Sequence, residues 1–301
     1  RENMNGTLQS LVYARPVARH LDPIEKKPLY HFLPGSLSYS YGTMGCNFHC
    51  LFCQNADIAH APKHGKNFHI SDITAESIVR EALDSGASSI AATYTEPTIF
   101  MEYALDVAEK GQASGLKQVF VSNGFMTPKA LRAAAPYLDA ANVDLKSFRD
   151  DFYVRECAAR LKPVLQSIQG MKKAGIWLEL TTLIIPGEND DPGELREIAE
   201  FIVSVGPEIP WHISAFHPTY RKTERPPTPA RTLIQAREIG LEAGLHYVYC
   251  GNIPDGDYKN TYCHGCGQKL IDRSRGSGTL RNLKDGRCSQ CQEVPAGVGL
   301  A

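Results

Sequence analysis

Six short apolar runs, separated by amphipathic segments at a near-regular interval, constrain this chain more than any other feature. The runs are 88–96 (SSIAATYTE), 118–123 (QVFVSN), 141–146 (ANVDLK), 176–185 (IWLELTTLII), 211–216 (WHISAF) and 246–249 (HYVY). Strand and helix alternating at this rhythm predict a parallel sheet with helical crossovers. Runs this continuously apolar suit strands covered on both faces. Between them, Ala75, Ile78, Val79, Ala82 and Leu83 recur at helical spacing, and Gly86 supplies a stop. Asp191-Pro192 predicts a cap with a first-turn proline, Glu194 completing a capping box, and Leu195, Ile198, Ala199 and Ile202 form the apolar face of that helix. A closed barrel and a doubly wound sheet both fit this alternation, and in both a ligand sits at the carboxyl ends of the strands. Polar groups recur there: Thr93-Tyr94-Thr95-Glu96, Ser122-Asn123-Gly124, Asp144-Leu145-Lys146, Glu179 to Thr182, and His217-Pro218.

The bulk numbers exclude several function classes. A chain of 301 residues, 43% hydrophobic and 22% charged, is ordinary globular material. A formal net charge of -1 offers no field for nucleic acid or an anionic membrane. No apolar run is long enough to cross a bilayer. The chain begins at Arg1, not Met, so an incomplete amino terminus is expected. Nine cysteines, an odd number without a secretory leader, argue for a reducing, cytoplasmic setting in which clustered thiols bind metal.

Seven of the nine fall into two groups. The first is GCNFHCLFCQN, in which Cys46, Cys50 and Cys53 follow a C-x3-C-x2-C spacing. Three thiolates on one tight loop suit three corners of a cubane iron–sulfur cluster, leaving the fourth iron open to a small molecule. A structural zinc site would need a fourth ligand, for which His49 or His60 is at hand. The second group pairs Cys263-x2-Cys266 with Cys288-x2-Cys291 across 21 residues, close to the spacing of a zinc ribbon. Four thiolates around one ion make a closed structural site, so zinc is favoured over a second cluster. Arg273, Arg275, Arg281, Lys284 and Arg287 give this module a basic middle, read as a solvated hairpin and not as a nucleic-acid surface. Cys157 and Cys250 read as buried thiols.

The triplet, with Phe52 just before its last cysteine, resembles the signature of the radical S-adenosylmethionine (SAM) superfamily. Glu96 stands where that family has a strand-end glutamate for the SAM amino group, although the two glycines that usually precede it are absent. Asn123-Gly124 and Asp144-Leu145-Lys146 resemble strand ends of the pyruvate formate-lyase activating enzymes, and His217 falls where that branch carries a SAM-contacting histidine. The segment HLDPIEKKPLYHFLPGS, the CQN after the triplet and the C-terminal cysteine pairs resemble the radical SAM enzymes of the AmmeMemoRadiSam system. This implies an α/β fold: a partial TIM-type (β/α)6 barrel of parallel strands over residues 39–253. An approach segment, 1–38, would precede it, and a zinc-ribbon-like module, 254–301, would follow.

The implied activity is reductive cleavage of SAM by a 4Fe-4S cluster. The resulting 5′-deoxyadenosyl radical would take a hydrogen atom from a substrate that the residues do not name. Phe52, Glu96, Asn123, Asp144, Lys146 and His217 would bind SAM, with Lys146 either pairing its carboxylate or neutralising Asp144. A low-potential electron donor and the companion domains of that system would be partners. Activation of a partner protein as a glycyl radical, and a metal-binding interaction module without catalysis, are the alternatives. Loops 59–68 and 220–228, rich in Lys, His, Pro and Arg, would select a polar or anionic substrate.

Overall fold

The structure is a computed structural model that describes residues 1–64, 71–254 and 257–301. All six expected strands are present, and two more precede them. In chain order the sheet comprises β1 (Pro16–Pro23), β2 (Leu37–Thr43), β3 (Ser89–Ala92), β4 (Lys117–Ser122), β5 (Ala140–Asp144), β6 (Trp177–Ile184), β7 (Trp211–Ala215) and β8 (Val248–Gly251). Spatial order follows chain order across the sheet. β2 to β8 are parallel, and β1 runs antiparallel at the edge, Leu21 facing Tyr39. Residues read as an approach segment thus supply an edge strand. β2 carries no apolar run to betray it: Ser38 and Ser40 alternate with Tyr39 and Tyr41, all buried.

Six helices make the crossovers: α1 (Ala75–Asp84), α2 (Met101–Ala113), α3 (Pro128–Ala134), α4 (Leu161–Lys173), α5 (Pro192–Val205) and α6 (Ala230–Glu242). Their starts are written locally. Thr74, Thr127 and Asp191 each accept a hydrogen bond from the backbone N–H three residues on, with Pro128 and Pro192 in the first turn. The capping box expected at Asp191 is only half formed. Glu194 turns away and accepts from Ser147 Oγ (2.5 Å) and the Phe148 amide (2.8 Å), tying α5 to the loop after β5. On α1 the buried face is Ala75, Ile78, Val79 and Ala82, while Leu83 stays exposed. On α5, Leu195, Ile198 and Ile202 are fully buried, each worth about 1.5–3 kcal/mol of transfer from water. No helix among the described residues is long and apolar enough to cross a membrane.

A sheet with edges at β1 and β8 leaves the barrel incomplete, and residues 24–36 fill it. Ile24, Leu29 and Phe32 are buried against inward-facing Ala91, Val119 and Ala140. Glu179, pointing inward from β6, holds this plug. Its Oε1 accepts from the His31 amide (2.8 Å) and Trp177 Nε1 (3.0 Å), and its Oε2 from the Tyr30 amide (2.9 Å) and His212 Nε2 (2.6 Å). Burial alone would raise this carboxyl, but His212, His31 and the Tyr30 amide hold it below the usual glutamate range. Glu179 is therefore a clasp inside the barrel and not a strand-end group.

The C-terminal module packs on the plug. Strands β9 (Thr261–Tyr262), β10 (Lys269–Asp272) and β11 (Thr279–Leu280) form a small antiparallel sheet, and β12 (Leu283–Lys284) pairs with β13 (Arg287–Cys288). Its tail returns to the barrel: Val298 bridges Phe32, and His31 joins the Ala296 carbonyl (2.6 Å) to the Tyr249 hydroxyl (2.5 Å). Where Gly35 meets Gly278 the backbones nearly touch; a Cβ on Gly35 would lie 2.2 Å from the Gly278 carbonyl oxygen. Gly35 of PGS and Gly278 of GSG are thus required by the docking of the module.

Candidate active site and metal centres

The triplet loop leaves the end of β2 at Gly45, whose φ of +95° suits glycine alone. It is held from four sides. Asn55 Nδ2 donates to the Tyr94 carbonyl beyond β3 (2.6 Å). Beyond β4, Asn123 Nδ2 donates to Asn47 Oδ1 (2.7 Å), and Asn47 Nδ2 donates to the Phe125 carbonyl (2.9 Å). The His49 and Leu51 amides donate to the carbonyls of Cys157 (2.8 Å) and Glu156 (2.9 Å), and the Arg221 amide donates to the Leu51 carbonyl (3.0 Å). Phe48 is buried with its ring 5.4 Å from Phe125 and 6.1 Å from Tyr153.

Cys46, Cys50 and Cys53 line one cavity of about 440 Å³ at the carboxyl ends of the parallel strands. Phe52, Glu96, Asn123, Asp144 and Lys146 line the same cavity. Glu96 is fully buried. Its Oε1 accepts from the Thr98 amide (3.0 Å), Thr98 Oγ1 (2.6 Å) and Ser122 Oγ (2.9 Å), and its Oε2 from the Asn123 amide (2.8 Å). Burial pushes this carboxyl up against the pull of those donors. Lys146 Nζ sits 2.9 Å from Asp144 Oδ2 and 5.7 Å from the centre of the Phe52 ring. Burial opposes its charge, but Asp144 and the neighbouring Cys50 and Cys157 sulfurs hold it well above the ordinary amine range. Lys146 therefore neutralises Asp144.

His217 behaves differently from the rest. It is exposed and does not line the cavity; Ser214 and Asn252 hold the corresponding positions at the ends of β7 and β8. The histidine that β7 does point inward, His212, belongs to the Glu179 clasp. Loop 220–228 is also unlike its sequence reading. Lys222 pairs with Glu156 (3.1 Å) and Glu188 (2.7 Å), and Arg225 pairs with Glu188 (2.7 Å), so those cations lock loops together. Loop 59–68 lies partly outside the described residues. Sequence reasoning missed Lys27, which is 3% exposed, lines the cavity and pairs with Asp22 (2.9 Å). Cys157 is buried, as its sequence reading has it, but its place beside Cys50 had no sequence signal. Cys250, also buried, directs its thiol at the Leu233 carbonyl (3.5 Å).

The residues fit a multi-iron cluster better than a single ion. Among the described residues, one group alone gathers its ligand atoms tightly enough for one ion, and that is the C-terminal four. The triplet, with or without His49 and His60, is not such a group. Burial pushes the Cys46 thiol up to about 12 and that of Cys53 up to about 11, so as thiolates they call for a positive group among them. In the C-terminal module the sulfurs of Cys263, Cys266, Cys288 and Cys291 all lie within 4.8 Å of one another, the spacing of ligands around one tetrahedral ion. Gly267, at φ +75°, turns the first knuckle so that its amide donates to the Cys263 carbonyl (2.8 Å).

Comparison with known proteins agrees with this geometry. Residues 40–202 match the family model of the radical SAM superfamily. An uncharacterized protein of Methanocaldococcus jannaschii is 41% identical over 97% of this chain and 87% of its own length. A probable GTP 3′,8-cyclase of Pyrobaculum aerophilum is 22% identical over 85% of this chain and 83% of its own length. Among solved structures, a radical SAM methyltransferase from Sphaerobacter thermophilus superposes with a TM-score of 0.56 at 16% identity, over 73% of this chain and 67% of that one. SuiB of Streptococcus suis, bound to its precursor peptide SuiA, gives 0.57 at 14% identity over 76% of this chain, which spans about half (51%) of that one. The two structural likenesses speak for the fold: a mostly parallel partial barrel. The family match and the Methanocaldococcus relative go further, and on them the chain belongs to the radical SAM superfamily.

Proposed function

We propose that the protein is a radical SAM enzyme of the AmmeMemoRadiSam type, acting on a small molecule. The observation that carries this is the convergence of three unpaired cysteines on one loop with the polar ends of the parallel strands around a single cavity. Cys46, Cys50 and Cys53 would hold three irons of a 4Fe-4S cluster, and SAM would complete the fourth. Together the two groups supply a 5′-deoxyadenosyl radical by one-electron cleavage of the sulfonium.

The chain's own residues orient and enclose. On Glu96, Oε1 already accepts three donors, while Oε2 accepts the Asn123 amide and only the longer reach of Ser122 Oγ (3.2 Å), so Oε2 has the capacity left for the SAM ammonium. Asn123 is committed to the triplet loop through Asn47, and its part is to fix Cys46. Asp144, held by Lys146, faces the cavity as a ribose-binding carboxylate. Phe52, 4% exposed, excludes water beside the cluster. His217 has no place in this proposal.

The four C-terminal cysteines are proposed to bind zinc. The module closes one side of the barrel, which favours a small substrate over the loop of a partner protein. A low-potential donor is the partner this chemistry requires, and the companion domains of the AmmeMemoRadiSam system are proposed working partners. The test is anaerobic reconstitution with iron and sulfide, then a low-potential reductant and SAM. Formation of 5′-deoxyadenosine, lost on Cys46→Ala, Cys50→Ala or Cys53→Ala, is expected. A reducible cluster that yields none would overturn the proposal.

A further inference from the structure

The three triplet sulfurs differ in what donates to them. Cys46 Sγ accepts from the Phe48 amide (3.4 Å) and from Asn123 Nδ2 (3.7 Å). The Cys53 sulfur accepts from the Asn55 amide. At Cys50 the donor within hydrogen-bonding reach is a side chain, the thiol of Cys157. The amides on either side of Cys50 are spent elsewhere: those of His49 and Leu51 donate to the carbonyls of Cys157 (2.8 Å) and Glu156 (2.9 Å). The same two bonds hold the triplet loop against the turn that carries Cys157. That turn, Tyr153–Cys157, is wound as a π-helix and ends at Ala158 in the left-handed region (φ +53°). At its start the Tyr153 hydroxyl accepts from the Lys146 amide (3.0 Å), which ties the turn to the loop after β5. Cys157 is fully buried and does not line the cluster cavity, whereas Cys50 does.

A cysteine that ligates no metal is a thiol, with one S–H to donate. When Cys50 binds iron, its sulfur becomes a thiolate, a negatively charged acceptor in a buried place. A buried donor and acceptor that backbone bonds hold together on both sides are expected to pair. Hydrogen bonds to the ligand sulfurs are among the levers that set an iron–sulfur potential, because they favour the reduced, more negative cluster over the oxidised one. Lys146 lies beside the same two sulfurs, but its ammonium is committed to Asp144 (2.9 Å). We propose that Cys157 is a positioning residue of the cluster: its thiol donates to the Cys50 sulfur and raises the potential at which the cluster takes up its electron. Cys157 itself neither binds iron nor changes oxidation state. The inference rests on the triplet holding a cluster, as proposed above, and it gives a role to a buried thiol that SAM binding does not use.

Redox titration followed by electron paramagnetic resonance, on the anaerobically reconstituted protein without SAM, tests this. At a fixed solution potential, Cys157→Ala is expected to lower the ratio of reduced to oxidised cluster about tenfold, a shift of about 59 mV for one electron. Cys157→Ser keeps an O–H for the Cys50 sulfur and is expected to hold that ratio within about threefold of the wild type. A fall under threefold in Cys157→Ala, or one beyond threefold in Cys157→Ser, would overturn the inference; the latter would reduce Cys157 to a packing group. Infrared difference spectra of the wild-type protein, reduced minus oxidised, give a reading that needs no variant to load its cluster. The S–H band is expected to move down on reduction, because its acceptor gains charge. Cys250, whose thiol points at the Leu233 carbonyl, should not contribute. An S–H region untouched by reduction would equally overturn the inference. Assays of 5′-deoxyadenosine on the same preparations keep the two ideas apart. SAM cleavage with a potential indifferent to Cys157 removes only the role of the thiol. A cluster that answers to Cys157 but cleaves no SAM removes the proposed function.

Discussion

Replacing Glu179 by glutamine probes the clasp that holds the plug. The change is nearly isosteric, so the cost lies in hydrogen bonds. Glu179 faces four donors: the amides of Tyr30 and His31, Trp177 Nε1 and His212 Nε2. A glutamine places an NH2 against one pair of them. Turned toward Trp177 and the His31 amide, it would meet two obligate donors. Turned toward Tyr30 and His212, it meets one, because a neutral imidazole can offer Nε2 as an acceptor. The second orientation wins. The Tyr30 amide is then left unsatisfied at a cost of about 1–3 kcal/mol, and the loss of a charged acceptor adds about 1 kcal/mol. A total of about 2–4 kcal/mol corresponds to an opening equilibrium about 30- to 900-fold larger. Hydrogen–deuterium exchange of a peptide spanning residues 24–36 reads this directly, since two of the bonded amides lie in it. Exchange there should accelerate by that factor in Glu179→Gln, with peptides from α2 unchanged. An acceleration under about fivefold would refute the reasoning, because it would mean that the plug is held by its apolar contacts alone.

Two further predictions concern charge and metal. Burial alone would raise the Asp22 carboxyl, but Lys27, Lys26 and Tyr94 pull it down to about 2 from an ordinary 3.8. A depressed carboxylate adds stability above its unfolded value and loses it as pH falls toward the folded one. The loss is therefore expected between about pH 4 and pH 2, at about 2 kcal/mol before screening and nearer 1 after it. Asp22→Asn should flatten that acid limb in urea titrations and strand the buried Lys27 at neutral pH; an unchanged limb would count against the pair. Cys263→Ser with Cys291→Ser should remove one metal ion per chain while leaving the iron of the triplet cluster, and elemental analysis checks both. Loss of four irons instead would make the C-terminal site a second cluster.

Much of this site was legible in the chain. The triplet, the strand-end Glu96, Asn123, Asp144 and Lys146, and the four C-terminal cysteines are marked by spacing or by their place after an apolar run, and the structure gathers the first two groups around one cavity. His217 also sits after an apolar run, yet it turns out to solvent, while His212 within that run turns in. Position after a strand predicts nearness to the mouth; it does not say which way a side chain leaves the backbone. β2 escaped notice for a related reason, since its buried serines carry no hydropathy signal.

Sequence alone determined the clustering of the thiols and the alternation, because both are local. Three thiols within eight residues cannot be far apart in any fold, and a helix start is fixed by its own cap. Tertiary structure alone decided what faces the cluster. Cys157 comes beside Cys50, and Arg273 and Glu25 come to the wall of a second, adjoining cavity from opposite ends of the chain. Whether such a charge finds a partner depends on where remote backbones place their amides and carbonyls. Here the Gly35 and Gly278 amides and the Tyr30 carbonyl draw the two groups into fixed positions and leave one atom of each without a partner among the described residues.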